Sequence, residues 1–158
     1  MITCKELMTP SVTVCTVEDD CSYAAMLMRD NDCGALPVVE SVDDPRIVGI
    51  ITDRDICCRV AANGSKRPSE FEVADVMTKD VVTCAADDDI ERAIRLMEEC
   101  QIRRIPIVDH AGRCVGMLAQ ADIATSELVR EKVPELLDAV SRNNIRSAAK
   151  GAVKRHAA

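Results

Sequence analysis

The chain states one pattern twice. Leu7-Met8-Thr9 recurs as Val76-Met77-Thr78, Cys15 as Cys84, and Met28 as Met97. Leu36-Pro37-Val38-Val39 recurs as Ile105-Pro106-Ile107-Val108, again 69 residues on. The offset then falls to 67: Val48-Gly49-Ile50-Ile51 matches Val115-Gly116-Met117-Leu118, and Asp55-Ile56 matches Asp122-Ile123. The two-residue difference lies between Ser41 and Arg46 in one copy and His110 and Arg113 in the other. A length change there belongs in a surface turn, where closure costs little. A repeat covering most of a chain decides the fold before any single motif does.

Each copy is too short to bury a secure core alone, whereas 158 residues can bury roughly 70% of their unfolded surface. Two copies sharing one core is the expected solution. With one Tyr, one Phe and no Trp, that core is built from Val, Ile, Leu, Met, Ala and Cys. The net charge of −7 argues against nucleic acid as a partner, since phosphate neutralisation needs a basic face. Nine cysteines, an odd number, fall largely at apolar positions and form no C-x-x-C. They read as reduced thiols acting as small hydrophobes. No uncharged run reaches the ~18 residues of a membrane span. The expectation is a soluble, cytoplasmic chain with no membrane or nucleic-acid partner.

The elements have the same order in both copies. A short strand is expected at Val12-Thr13-Val14 and at Val81-Val82-Thr83. A helix follows, with apolar positions Ile90, Ala93, Ile94 and Met97 in copy two and Cys21, Ala24, Ala25 and Met28 in copy one. Glu18, Asp19, Asp20 and Asp87, Asp88, Asp89 crowd the helix starts, where acids complement the dipole. Thr16 with Asp19 resembles a capping box. Two strands joined by a turn come next, and a second helix starts at Asp55-Ile56 and at Asp122-Ile123. The expected boundaries are 1–66 for the first repeat, 67–130 for the second, and 131–158 for a helical or disordered basic tail. Leu136, Leu137 and Val140 have helical spacing, and the last sixteen residues carry four cations and no acid. A solvated terminus and docking onto an acidic body or partner subunit both remain open readings for that tail.

This order, with the M-T string before it and G-h-h-T-x-x-D after it, resembles the tandem cystathionine-β-synthase (CBS) domain pair. The resemblance runs from about Lys5 to Ile123. It rests on Leu7-Met8-Thr9-Pro10, Gly34-Ala35-Leu36-Pro37-Val38 and Gly49-Ile50-Ile51-Thr52-Asp53-Arg54-Asp55-Ile56. In copy two it rests on Asp75-Val76-Met77-Thr78, Arg103-Arg104-Ile105-Pro106 and Gly116-Met117-Leu118-Ala119-Gln120-Ala121-Asp122-Ile123. The resemblance implies an α/β (α+β) fold: two β-α-β-β-α repeats packed about a pseudo-twofold axis, with two clefts and the helical tail outside them. It also implies an adenine nucleotide or related adenosyl ligand in a cleft, pairing into a homodimer, and no attached enzyme.

An adenosine phosphate needs an acceptor for the ribose diol, cations for phosphate, and an apolar slot for the base. Family-wise, the Thr and Asp of the G-h-h-T-x-x-D string and the basic residues before the h-P strand of the other repeat serve these needs. Copy one has Thr52 and Asp55, whereas copy two has Asp122 with Ala119 in place of Thr. Copy two has Arg103-Arg104, whereas copy one has Gly34-Ala35. The expected ligand-binding set is therefore Thr52, Arg54, Asp55, Ile102, Arg103, Arg104 and Pro106, with a weaker second cleft around Asp122 and Ala119. Taken singly, Asp55 and Asp122 also suit a helix first turn, and Thr52 suits a plain N-cap.

The sequence thus reads as a ligand-sensing regulatory module for AMP, ADP or ATP, with no required cofactor, no metal and no catalytic residues. His110 and His156 lie in no catalytic motif, and the chain has neither G-x-G-x-x-G nor a P-loop. The alternatives are a structural dimer without ligand, or a binder of another adenosyl compound such as S-adenosylmethionine. A regulated protein partner follows from the first reading.

Overall fold

The computed structural model describes residues 1–129; the expected tail, with Leu136, Leu137 and Val140, lies outside them. Copy one contains α1 (Cys4–Leu7), β1 (Thr9–Pro10), β2 (Cys15–Thr16), α2 (Cys21–Asp30), β3 (Ala35–Val39), β4 (Ile47–Thr52) and α3 (Asp53–Asp55). Copy two contains α4 (Val73–Val76), β5 (Cys84–Ala85), α5 (Ile90–Cys100), β6 (Arg104–Val108), β7 (Cys114–Ala119) and α6 (Gln120–Thr125). The strand-helix-strand-strand-helix order recurs as expected, with one extra helical turn ahead of each repeat.

The first strand of each repeat lies three residues later than the apolar triplets suggest. Cys15 and Thr16 pair in parallel with Val38 and Val39, and Cys84 and Ala85 pair likewise with Ile107 and Val108. The valine-rich triplets before them remain half-buried and unpaired. The acidic clusters also fall outside the helices. Asp20 and Asp89 are N-caps, accepting from the Tyr23 and Glu91 amides at 2.9 and 3.0 Å. Asp19 and Asp88 instead close the preceding turns, accepting from the Thr16 and Ala85 amides at 2.7 and 2.8 Å. The Thr16–Asp19 pair therefore shapes a turn and does not cap the helix. The copy-two stripe behaves as the spacing predicts, with Ile90, Ala93, Ile94 and Met97 buried; in copy one Cys21, Ala24 and Met28 are buried but Ala25 is only half-buried.

The two sheets have strand orders β1-β7-β6-β5 and β2-β3-β4. The repeats exchange their leading segments. β1 of copy one pairs antiparallel with β7 of copy two, Thr9 opposite Met117. The matching exchange joins Thr78 to Ile50 by amide–carbonyl bonds of 2.9 and 3.0 Å. Cores follow the same exchange. Cys4 is buried with Ile90, Met97, Ile105 and Leu118, while Val73 and Val76 are buried with Leu36, Val38 and Ile51. Each fully buried aliphatic side chain stabilises by roughly 1.5–3 kcal/mol relative to exposure, so neither core is complete without its neighbour's helical turn.

The recurring M-T and V-G strings are two halves of one contact. A Cβ on Gly49 would strike the Met77 thioether, and one on Gly116 would strike that of Met8. Glycine permits the close approach on both sides. The pseudo-twofold axis passes through the turn where the two copies differ in length, between Arg46 and Arg113. There the Ile47 amide donates to the Gly112 carbonyl at 3.2 Å and the Cys114 amide to that of Pro45 at 2.8 Å. Asp44 accepts both guanidiniums, Arg113 at 2.7 Å and Arg46 at 3.0 Å.

Candidate functional site

The antiparallel hairpins and the exchanged segments leave two clefts between the repeats. The first, of about 480 Å³, is walled by Ile50, Thr52, Asp53 and Arg54 from copy one. Copy two supplies Thr78, Asp80, Val81 and Val82, and Gln101 to Arg104 with Pro106. The second, of about 400 Å³, is walled by Thr9 to Thr13, by Asn31 to Cys33, and by Met117, Ala119 and Asp122. The two sets correspond by the 69- and 67-residue offsets. The half-buried valines that form no strand are thus cleft wall: Val12 in the second cleft, Val81 and Val82 in the first.

Helix ends set the entrances. Gln101 takes the left-handed conformation (φ 55°) at the end of α5, and Asp32, its equivalent after α2, does the same (φ 48°). This turn, tolerated outside glycine by few residues, aims Ile102 and Cys33 back toward the sheets. The Ile102 and Cys33 amides close it on the Met97 and Met28 carbonyls, at 3.1 and 2.9 Å.

Thr52 is the N-cap of α3. Its hydroxyl accepts from the Asp55 amide at 3.2 Å and donates to the Asp55 carboxylate at 2.7 Å, which also accepts the Thr52 amide at 3.1 Å. With its proton committed to Asp55, the hydroxyl oxygen facing the cleft is an acceptor. The second oxygen of Asp55 faces Arg59 Nε at 3.5 Å. Arg59 sits in a π-helical turn, Ile56–Val60, and its Nη1 donates to the Val76 carbonyl at 2.7 Å, tying α3 to α4. In copy two Ala119 can offer only its amide, 2.7 Å from Asp122. Position 126, equivalent to 59, is Ser, so Asp122 has no such arginine beside it.

Of the expected residues, Thr52, Arg54, Ile102, Arg103, Arg104 and Pro106 line one cleft together. Asp55 does not line it; its carboxylate is turned to Thr52 and Arg59. Ala119 and Asp122 line the other cleft, and there Asp122 itself faces the cavity. Arg104 lines both clefts, so the second cleft lacks Arg103 but not the whole basic pair. The reason is position: Arg104 and its equivalent Ala35 start the strands between the clefts, pairing with Ala119 and Thr52. Gly34 leaves room there, since a Cβ would meet Asp53 at 2.8 Å and Arg104 at 3.5 Å. Sequence reasoning missed Gln101, Asp80 and the valines of the first cleft. The 69-residue frame would have located them once Asp32, Ser11 and Val12 were placed.

The clefts differ in charge. The first gathers Arg54, Arg103 and Arg104 against Asp53 and Asp80. The second holds Arg104 against Asp32 and Asp122. Among the described residues none of the three arginines is in an ion pair. In a chain of net charge −7, three guanidiniums without an ion pair gathered in one cleft give it the local positive charge that an anion requires. Among the described residues no cluster of His, Cys, Asp and Glu suits a metal ion, and no helix is long and apolar enough to cross a membrane.

The CBS domain model matches residues 4–61 and 73–128. The CBS domain-containing protein YhcV of Bacillus subtilis is 35% identical over 145 residues, covering 92% of this chain and 99% of its own. The solved structure of CBSX2 in complex with AMP superposes with a TM-score of 0.70 at 25% identity, covering 83% of this chain and 99% of its own. The CBS domain pair of MJ0100, in complex with 5′-methylthioadenosine and S-adenosyl-L-methionine, does so with a TM-score of 0.68 at 25% identity, covering 78% and 97%.

Proposed function

Because the chain belongs to the CBS domain family, with two repeats in tandem, we propose that it is a regulatory module that senses an adenine nucleotide in its first cleft. The observation that carries this reading is the convergence of Arg54, Arg103 and Arg104, unpaired, on a cleft of nucleotide size. The three guanidiniums hold phosphate. The Thr52 hydroxyl, polarised by Asp55 from outside the cleft, accepts from the ribose diol. Ile50, Ile102, Val82 and Pro106 enclose the base. That the solved relative CBSX2 holds AMP supports the ligand class. The module performs no reaction and needs no cofactor; its output is a change of shape read by a partner protein.

The second cleft is weaker for nucleotides, since its two aspartates face a single shared arginine. That balance favours an uncharged or sulfonium adenosyl compound there, the class bound by the MJ0100 pair. The chain acts as a homodimer in the cytoplasm. The exposed Tyr23 and Met26 of α2 and the exposed Cys57 and Cys58 after α3 offer apolar faces for the second copy.

Mass spectrometry of small molecules released from freshly purified protein tests the reading, with thermal shift as a second arm. AMP, ADP or ATP should be released, and the added nucleotide should raise the melting midpoint more than adenosine does. Release of no nucleotide, together with no shift at millimolar nucleotide, would leave the structural-dimer reading.

A further inference from the structure

The two cores are built from equivalent positions, with one chemical difference. In the second core Cys4 of α1 packs with Cys84 of β5, both fully buried in one cluster with Ile90, Met97 and Leu118. The equivalent positions in the first core are Val73 and Cys15, both buried. Cys15 donates weakly to the Pro37 carbonyl at 4.0 Å. Valine therefore satisfies the packing requirement at this position, and a second thiol is not needed to fill the core. The backbone holds the pair in place: the Cys4 amide donates to the Asp88 carbonyl and the Lys5 amide to that of Ala86, both at 2.9 Å. The Ile90 amide closes the other side on the Ile2 carbonyl at 2.8 Å. Among the described residues no third ligand joins them to make a metal site.

We propose that Cys4 and Cys84 are a reversible disulfide site that covalently joins the exchanged N-terminal segment of repeat one to the core of repeat two. The oxidant is a small organic disulfide of the glutathione class. One of the two thiolates attacks one sulfur of the oxidant and releases one thiolate. The other protein thiolate then displaces the second, leaving one protein disulfide. Two protein thiols are oxidised and one disulfide is reduced to two thiols, which take up the two protons. The reagent reaches the pair when the segment opens locally, since α1 is one turn and β1 two residues. The same segment carries Met8 onto Gly116 and supplies Thr9, Pro10 and Ser11 to the second cleft. Oxidation thus fixes one wall of that cleft and leaves the nucleotide-proposed cleft untouched.

The test uses the full chain, parent and Cys4→Val, treated with glutathione disulfide under native conditions. Peptide mapping without reduction follows alkylation of the remaining thiols. A peptide pair joining residues 4 and 84, lost on reduction, is expected in the parent, with a melting midpoint several degrees higher than in the reduced form. Cys4→Val should melt close to the reduced parent, as Val73 does its work in the other core, and should gain nothing on oxidation. Exposed Cys100 reports that the reagent acted. Glutathione on Cys100 without a 4–84 link would overturn the proposal, as would a link that lowers the midpoint. The parent's peptide map decides even if the variant folds poorly.

Discussion

Exchanging one hydroxyl between the repeats tests how the first cleft is built. Thr52 and Ala119 occupy equivalent N-caps, and the backbone pattern around them is the same: the cap amide donates to the acid three residues on, at 3.1 Å in copy one and 2.7 Å in copy two. Thr52→Ala removes the bond accepted from the Asp55 amide and the bond donated to its carboxylate. Loss of a threonine cap typically costs about 1 kcal/mol. The second bond is charge-assisted, but water can replace part of it, so the total should be about 1–2 kcal/mol. In a chain of this size that lowers the melting midpoint by about 2–4 °C per kcal/mol. Ala119→Thr should do the reverse, by about 0.5–1 kcal/mol, because Asp122 already stands where Asp55 stands. Urea denaturation of the ligand-free protein measures both. Thr52→Ala within about 0.3 kcal/mol of the parent, well below the usual cost of losing a cap, would refute the reasoning. So would a destabilising Ala119→Thr.

Gly116→Ala should cost about 1–3 kcal/mol, since the added methyl meets Met8 and the Thr9 carbonyl at 2.8 Å; faster amide exchange at residues 3–10 would mark the displaced segment. The Arg113 guanidinium holds the Asp44 carboxyl below the usual carboxylate range, so its contribution is present above that range and fades as pH falls through the lowered value. Asp44→Asn should therefore be less stable than the parent at neutral pH, and the two should converge in strong acid; a constant gap in pH-dependent denaturation would contradict this. Asp55→Ala should weaken AMP binding about ten- to hundredfold, through Thr52 and the ribose, while Asp122→Ala changes it little; equal losses in calorimetry would place the ligand in the other cleft.

Much of this fold is legible in the repeat itself. The 69- and 67-residue offsets locate both hairpins, and the spacing of Ile90, Ala93, Ile94 and Met97 finds the buried face of α5. Periodicity carries only local information, however. It reports that Met8 and Gly116 recur as Met77 and Gly49, but not that each methionine seats on the other repeat's glycine. Nor does it separate Val81-Val82 as cleft wall from Val81-Val82 as strand, since both demand apolar, extended chain. The candidate site divides the same way. Six of the seven expected residues share a cleft because residue type and frame suffice for them. The orientation of Asp55 depends on Arg59, which enters only through the π-turn, and the double membership of Arg104 depends on where β6 begins relative to the axis.

The central claim is that the arginine cleft binds the phosphate of an adenine nucleotide. Calorimetric titration of AMP into the parent and into the Arg103→Ala, Arg104→Ala double variant, at low and high salt, tests it most directly. The account predicts about one strong site per chain in the parent, weakened by salt. In the double variant AMP should fall to the affinity of adenosine, with little salt dependence. Two equal sites per chain, or a double variant that still prefers AMP and keeps the parent's salt dependence, would contradict it.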